Sequence, residues 1–274
     1  MSVLAMRAAL VALLFLSLGA CHAPVRQEQP ARVLFVGNSL TYFGNVPAIY
    51  SALAAANGEP ADADMIVQGG ATLAQRVADH SVGDALAGRR YTALVLQERG
   101  GDLLCAFGPD SCADSRHAIR NLSDLASRNG VRVVLLGTYQ SHPAASQRLV
   151  EAEAQAADEA GIAYVEVSET LRRLRNVQPE LDWFAADGMH PGKDLALLNA
   201  VLVYRALHGA LPAPGPLMVK APIYGSDSGL EASLRPADAP PPRPGTPMVV
   251  QYPARTMEAL LAHNGPLPHA WSPP

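Results

Sequence analysis

Apolar residues in this chain fall into short runs separated by stretches with helical spacing. Residues 33–36, 65–67, 93–96, 131–136 and 163–167 are runs of the first kind, and each stops at a Gly, Gln or Ser. A strand buried on both faces loses the alternation of an exposed sheet, so these runs predict the strands of a parallel sheet. Helices are predicted between them. Residues 47–57 begin with Pro47 and stop at Gly58, while 115–129 carry Ile119, Leu122 and Leu125 on one face and stop at Gly130. Residues 144–160, closed by Gly161, and 168–175, capped by Ser168, continue the series, and 193–208 with Gly209 ends it.

Strands that alternate with helices predict a three-layer α/β/α domain, flavodoxin-like, with a central parallel sheet. Right-handed crossovers place every strand's carboxyl end on one rim, which gathers Ser39, Gly69, Gly70 and Gln97. From residue 211 the pattern breaks up, and 236–247 is rich in proline. That stretch reads as a polyproline linker, followed by a short strand at 249–250 and a helix near 257–262 that packs back on the domain. The expected organisation is therefore a leader over 1–20, a spacer over 21–31, a catalytic domain over 32–210 and an extended, non-catalytic Pro-rich appendage over 211–274.

The leader rests on Arg7 followed by the uncharged apolar segment 8–18, too short to span a bilayer and matched to the core of an export signal. Leu18-Gly19-Ala20-Cys21 resembles the lipobox of bacterial lipoproteins, which implies acylation of Cys21 and a membrane tether. His22 stands where an inner-membrane retention signal would place Asp, which favours an outer-membrane address facing the periplasm or the cell surface. Export also makes a disulfide plausible between Cys105 and Cys112, whose intervening Gly108-Pro109 can turn the chain back. A zinc site finds no second ligand pair at the right spacing. With 274 residues, a net charge of -4 and a pI near 6.0, the chain lacks the basic footprint of a nucleic-acid binder.

The chemistry turns on two blocks. In Gly37-Asn38-Ser39-Leu40-Thr41, the serine sits just past the first strand, where an α/β sheet presents its ligands. In Asp187-Gly188-Met189-His190, a carboxylate and an imidazole lie three residues apart on a glycine-containing loop. One turn can hold the carboxylate on Nδ1 and leave Nε2 facing outward, the orientation a serine's general base requires. His117, with Asp114 before it, falls at the start of an amphipathic helix and is ranked below His190. Tyr42 and Phe43 wall an acyl pocket or pack in the core; Trp183 and Phe184 are candidates for stacking on a carbohydrate; Glu98 and Arg99 read as a solvated pair.

Taken together, these blocks resemble the SGNH (GDSL-type) hydrolases over about residues 32–209. The resemblance implies Ser39 as nucleophile, with His190 and Asp187 completing a catalytic triad. It implies an oxyanion hole from the N–H groups of Ser39 and Gly70 and a side-chain amide. Family members usually take that amide from Gly-x-Asn-Asp; here the third strand ends in Leu96-Gln97-Glu98, which makes Gln97 the candidate donor. The implied activity is hydrolysis of carboxylic esters without cofactor or metal, with short acyl groups on a glycan as the leading substrate. A lysophospholipase or thioesterase of the same fold and a catalytically silent glycan-binding lipoprotein are the alternatives.

Overall fold

The computed structural model describes residues 30–262; the leader, Cys21, residues 22–29 of the spacer, and residues 263–274 lie outside the described residues. The five apolar runs become five parallel strands: β1 (Ala31–Gly37), β2 (Ala61–Val67), β3 (Ala93–Leu96), β4 (Arg132–Leu136) and β5 (Ala163–Val165). The order across the sheet is β5-β4-β3-β1-β2, with a further antiparallel strand beyond β2. In β1, Val33 and Phe35 enter one hydrophobic cluster while Leu34 and Val36 enter another, because successive side chains leave a strand on opposite faces. Burial on both faces is why the central residues of these strands read as apolar runs.

One face is covered by α2 (Val46–Ala56), α7 (Ser168–Val177) and α8 (Lys193–His208), which bring Ile49, Leu53, Leu171, Leu174 and Val201 to the first cluster. The other is covered by α3 (Leu73–Ala78), α4 (Ser81–Gly88), α5 (Pro109–Arg128) and α6 (Pro143–Glu159), through Leu73, Val82, Ile119, Leu122 and Ala156. A single helical turn, α1 (Ser39–Tyr42), follows β1 directly. This is the expected three-layer α/β/α architecture. The chain steps from β1 to β2 on one side and then to β3 on the other, so the strand order reverses at β1. Ligand crevices of open α/β sheets form at the carboxyl end of such a switch point. None of the helices among the described residues is long and apolar enough to cross a membrane.

The C-terminal stretch differs from expectation. Residues 211–247 are not an extended linker, because Leu217, Tyr224 and Leu230 are buried in the first cluster, while the helix near 257–262 packs back on the domain as expected, with Tyr252, Met257 and Leu260 buried in the same cluster. Strands β6 (Leu217–Val219) and β8 (Val250–Tyr252) pair with each other, and α9 (Ala254–Ala262) closes the described chain. Strand β7 (Arg235–Pro236) joins the main sheet, opposite Met65 and Asp64 of β2. Asn45, the N-cap of α2, donates through Nδ2 to the carbonyls of Pro222 and Ala237, both at 2.8 Å. Apolar residues scattered among prolines show no period, so their anchoring is invisible to pattern. Pro236, which lacks an N–H, is tolerated because it pairs only at the sheet's edge.

Candidate active site

The nucleophile block is a tight turn that throws Ser39 onto the rim. Asn38 is extended and caps α1, its Oδ1 accepting the Leu40 N–H at 3.0 Å. Its small neighbour Gly37 is required: a Cβ there would lie 2.2 Å from Thr41 Oγ1. Thr41 folds back over Gly37 and donates to Gln97 Oε1 at 2.7 Å. The turn is thereby tied to β3 as well as to β1.

The second block arrives on the loop before α8. Asp187 Oδ1 accepts the backbone N–H groups of Met189 and His190, both at 2.9 Å. Its Oδ2 lies 2.6 Å from His190 Nδ1, and His190 Nε2 lies 3.0 Å from Ser39 Oγ. The hydrogen bond from the His190 ring, followed by the two backbone N–H bonds, holds the exposed Asp187 carboxyl down at about 2. It therefore stays anionic throughout the neutral range. The Phe43 ring stacks on the imidazole at 4.1 Å between centroids with planes 10° apart. Tyr139 Oη donates to the Met189 carbonyl at 2.6 Å and pins the loop from the far side. Residues 39, 187 and 190, read from two distant motifs, thus form one continuous relay.

Gly70 lies in the exposed turn after β2, with φ of 69°, a conformation that glycine adopts freely. Since Gly37 and Val67 are in register on adjacent strands, the Ser39 and Gly70 turns leave the sheet side by side. A Cβ on Gly69 would lie 3.2 Å from Tyr42 Oη, so α1 and this turn are in close contact.

Gln97 departs from its expected role as an oxyanion donor. It is 1% exposed, its Oε1 is taken by Thr41, and its Nε2 donates to the Gly137 carbonyl at 3.1 Å. Its own carbonyl also accepts from Asn38 Nδ2 at 3.4 Å. The amide spans the ends of β1, β3 and β4 rather than facing solvent. Nor is Glu98 solvated: it is 2% exposed, and Oε1 accepts the N–H groups of Leu73 (3.1 Å) and Arg99 (2.9 Å). Burial, opposed by these bonds, pushes its carboxyl up to about 7. Arg99 pairs instead with Asp102 through two bonds of 2.8 and 2.9 Å and lies 3.7 Å above the Phe107 ring. The loop that carries Phe107 is closed by a disulfide between Cys105 and Cys112. Trp183 is a core residue, 5% exposed, with its indole N–H on the Gln178 carbonyl, and is no platform for a sugar. Phe184 packs against Tyr139 beneath Arg175.

No family model and no curated protein sequence matches this chain. Solved structures do. A protein from Slackia heliotrinireducens assigned to the SGNH hydrolases is 26% identical, covering 65% of this chain and 98% of its own, with a TM-score of 0.54. A DUF4886 family protein from Bacteroides uniformis is 18% identical over 66% of this chain and 84% of its own, at a TM-score of 0.54. A GDSL-like lipase, so assigned, from Parabacteroides merdae is 15% identical over 66% and 96%, at 0.53. The latter two likenesses concern the fold alone. A doubly wound sheet with a Ser–His–Asp relay at its switch point defines a hydrolase-type α/β/α protein. Within that class, the chain is similar to the SGNH (GDSL-type) hydrolases.

Proposed function

We propose that this chain is a serine esterase that removes short acyl groups, acetyl foremost, from a glycan. The reading is carried by one observation: His190 bridges Asp187 Oδ2 at 2.6 Å and Ser39 Oγ at 3.0 Å. Ser39 attacks the ester carbonyl while His190 Nε2 takes the hydroxyl proton. The tetrahedral oxyanion is received by the backbone N–H groups of Ser39 and Gly70. His190 then returns its proton to the leaving alcohol, leaving an acyl-enzyme that a water molecule, deprotonated by the same imidazole, hydrolyses. Asp187 fixes the imidazole's tautomer and stabilises the imidazolium.

Two features support the substrate class. Leu40, Tyr42 and Phe43, which follow the nucleophile, are 8%, 6% and 6% exposed, so the turn beside Ser39 offers little open apolar surface to a long acyl chain. On the other side, Asp187, Gly188 and Met189 are exposed, which leaves room for a bulky polar alcohol such as a sugar. In the same reading, the leader exports the protein and acylated Cys21 tethers it to the membrane. Protein starting at residue 22 is expected to hydrolyse p-nitrophenyl acetate faster than longer-chain esters and to lose that activity in Ser39→Ala. Turnover that survives the substitution, with the fold intact, refutes the assignment.

A further inference from the structure

Two oxyanion donors on separate loops must converge on one atom, and the loops leave different strands. Ser39 follows β1 and Gly70 follows β2, yet the groups that fasten both come from the two residues that follow β3. Gln97 and Glu98 are consecutive, yet their side chains reach different turns. Gln97 grips the nucleophile turn through Thr41 and Asn38 and is braced against Gly137. Glu98 reaches past the end of β1 to the N–H of Leu73, the first residue of α3 and three residues beyond Gly70. That N–H belongs to a helix's first turn and has no partner within the helix. The same carboxylate oxygen holds the Arg99 N–H, which fixes the carboxyl relative to β3.

We propose that Gln97 and Glu98 are positioning residues that clamp the two halves of the oxyanion hole, Gln97 the Ser39 turn and Glu98 the Gly70 turn. The proposal rests on the serine-esterase reading and changes the part played by the third sequence block: alignment in place of donation. A carboxylate, a carboxylic acid and an amide all present an acceptor at Oε1. The Glu98 clamp therefore requires an acceptor and not a charge, and Glu98→Gln preserves it where Glu98→Ala does not. For the other arm, Thr41→Val exchanges a hydroxyl for a methyl and leaves Gln97 Oε1 unpaired, while Thr41→Ser keeps the bond.

The test measures kcat and KM on p-nitrophenyl acetate, and the rate of inactivation by a fluorophosphonate, whose phosphoryl oxygen occupies the same hole. Glu98→Ala and Thr41→Val are each expected to lower kcat and the inactivation rate together, by about tenfold to a hundredfold, with KM little changed. Glu98→Gln and Thr41→Ser are expected to stay near the parent protein. Equal losses in Glu98→Ala and Glu98→Gln overturn the proposal, since charge would then be the requirement. Unchanged rates in Glu98→Ala and Thr41→Val overturn it as well, and if Glu98→Ala fails to fold the threonine pair decides alone. Parent protein that the fluorophosphonate labels at Ser39, beside Glu98→Ala and Thr41→Val variants that turn over and are inactivated as fast as the parent, overturns the clamp and leaves the esterase reading standing. Parent protein that is not labelled overturns both.

Discussion

Replacing Asp187 with asparagine separates the carboxylate's role in shaping the loop from its role toward the imidazole. Three hydrogen bonds end on Asp187, two of them at Oδ1 from backbone N–H groups. Asparagine's carbonyl oxygen can keep those two, so the turn and the melting temperature should hold. The third partner, His190 Nδ1 at 2.6 Å, then faces an amide N–H in place of an anion. The imidazole is driven to the tautomer with its proton on Nε2, which donates to Ser39 Oγ and cannot accept from it. In serine proteases, the corresponding exchange of a buried aspartate costs about 10⁴-fold in kcat. The Asp187 side chain is 41% exposed, so water competes for Nδ1 and part of the population keeps the productive tautomer. The expected loss is accordingly smaller, about 10³-fold, in kcat and not in KM. Initial rates on p-nitrophenyl acetate from pH 6 to 9, alongside a thermal melt, measure both quantities. A variant that retains more than a fifth of the parent kcat, with an unchanged melt, would refute the relay.

Two stability predictions follow from buried or covalent features away from the relay. Exchanging Cys105 and Cys112 together for serine opens a loop with a sequence separation of 7. Loop-closure entropy then predicts a loss of about 2.5 kcal/mol, or a fall of roughly 5–10 °C in melting temperature for a domain of this size, and scanning calorimetry with and without reductant on the parent reads the same change. A melt unmoved by both treatments would refute it. Glu153, buried beside Thr138 and Tyr164, has its carboxyl pushed by burial up from a usual 4.5 to about 7. The folded protein thus holds this proton more tightly than the unfolded chain, so its contribution is full below about 4.5 and is lost as pH rises through about 7. Melting temperature should fall from pH 5 to pH 8, and Glu153→Gln should flatten that slope; identical slopes in parent and variant would count against the assignment.

Where structure follows from local pattern, the sequence is readable almost to the residue. Strand β3 and helix α8 have the bounds expected from their apolar runs and, for the helix, from Gly209. Helix α5 starts at Pro109, six residues before the expected 115, because its first turns are polar and carry no hydrophobic period. Helices α3 and α4 are short, the second contains Gly83, and neither is long enough to register as periodic. The relay was legible because Asp187 and His190 share one loop and Ser39 ends an unmistakable strand. The Phe43 stack, the Thr41–Gln97 bond and the reach of Glu98 to Leu73 were not. Each depends on which strands become neighbours, and the order β3-β1-β2 is a property of the fold rather than of any local motif. The expected oxyanion role of Gln97 failed for that reason: the residue is polar and at the correct strand end, but its partners come from β1 and β4.

The anchoring of Asn45 by Pro222 and Ala237 sets a timetable for the folding chain. Every residue of the relay has been synthesised once His190 is made, yet Asn45, which caps the helix immediately after the nucleophile turn, bonds to a carbonyl 192 positions further along. Edge strand β7 joins β2 from the same late segment. Such long-range closures are the slowest to form. A chain emerging from the ribosome therefore carries a complete set of reactive groups before it has the last supports beside them, and the site is secured from its far end backwards.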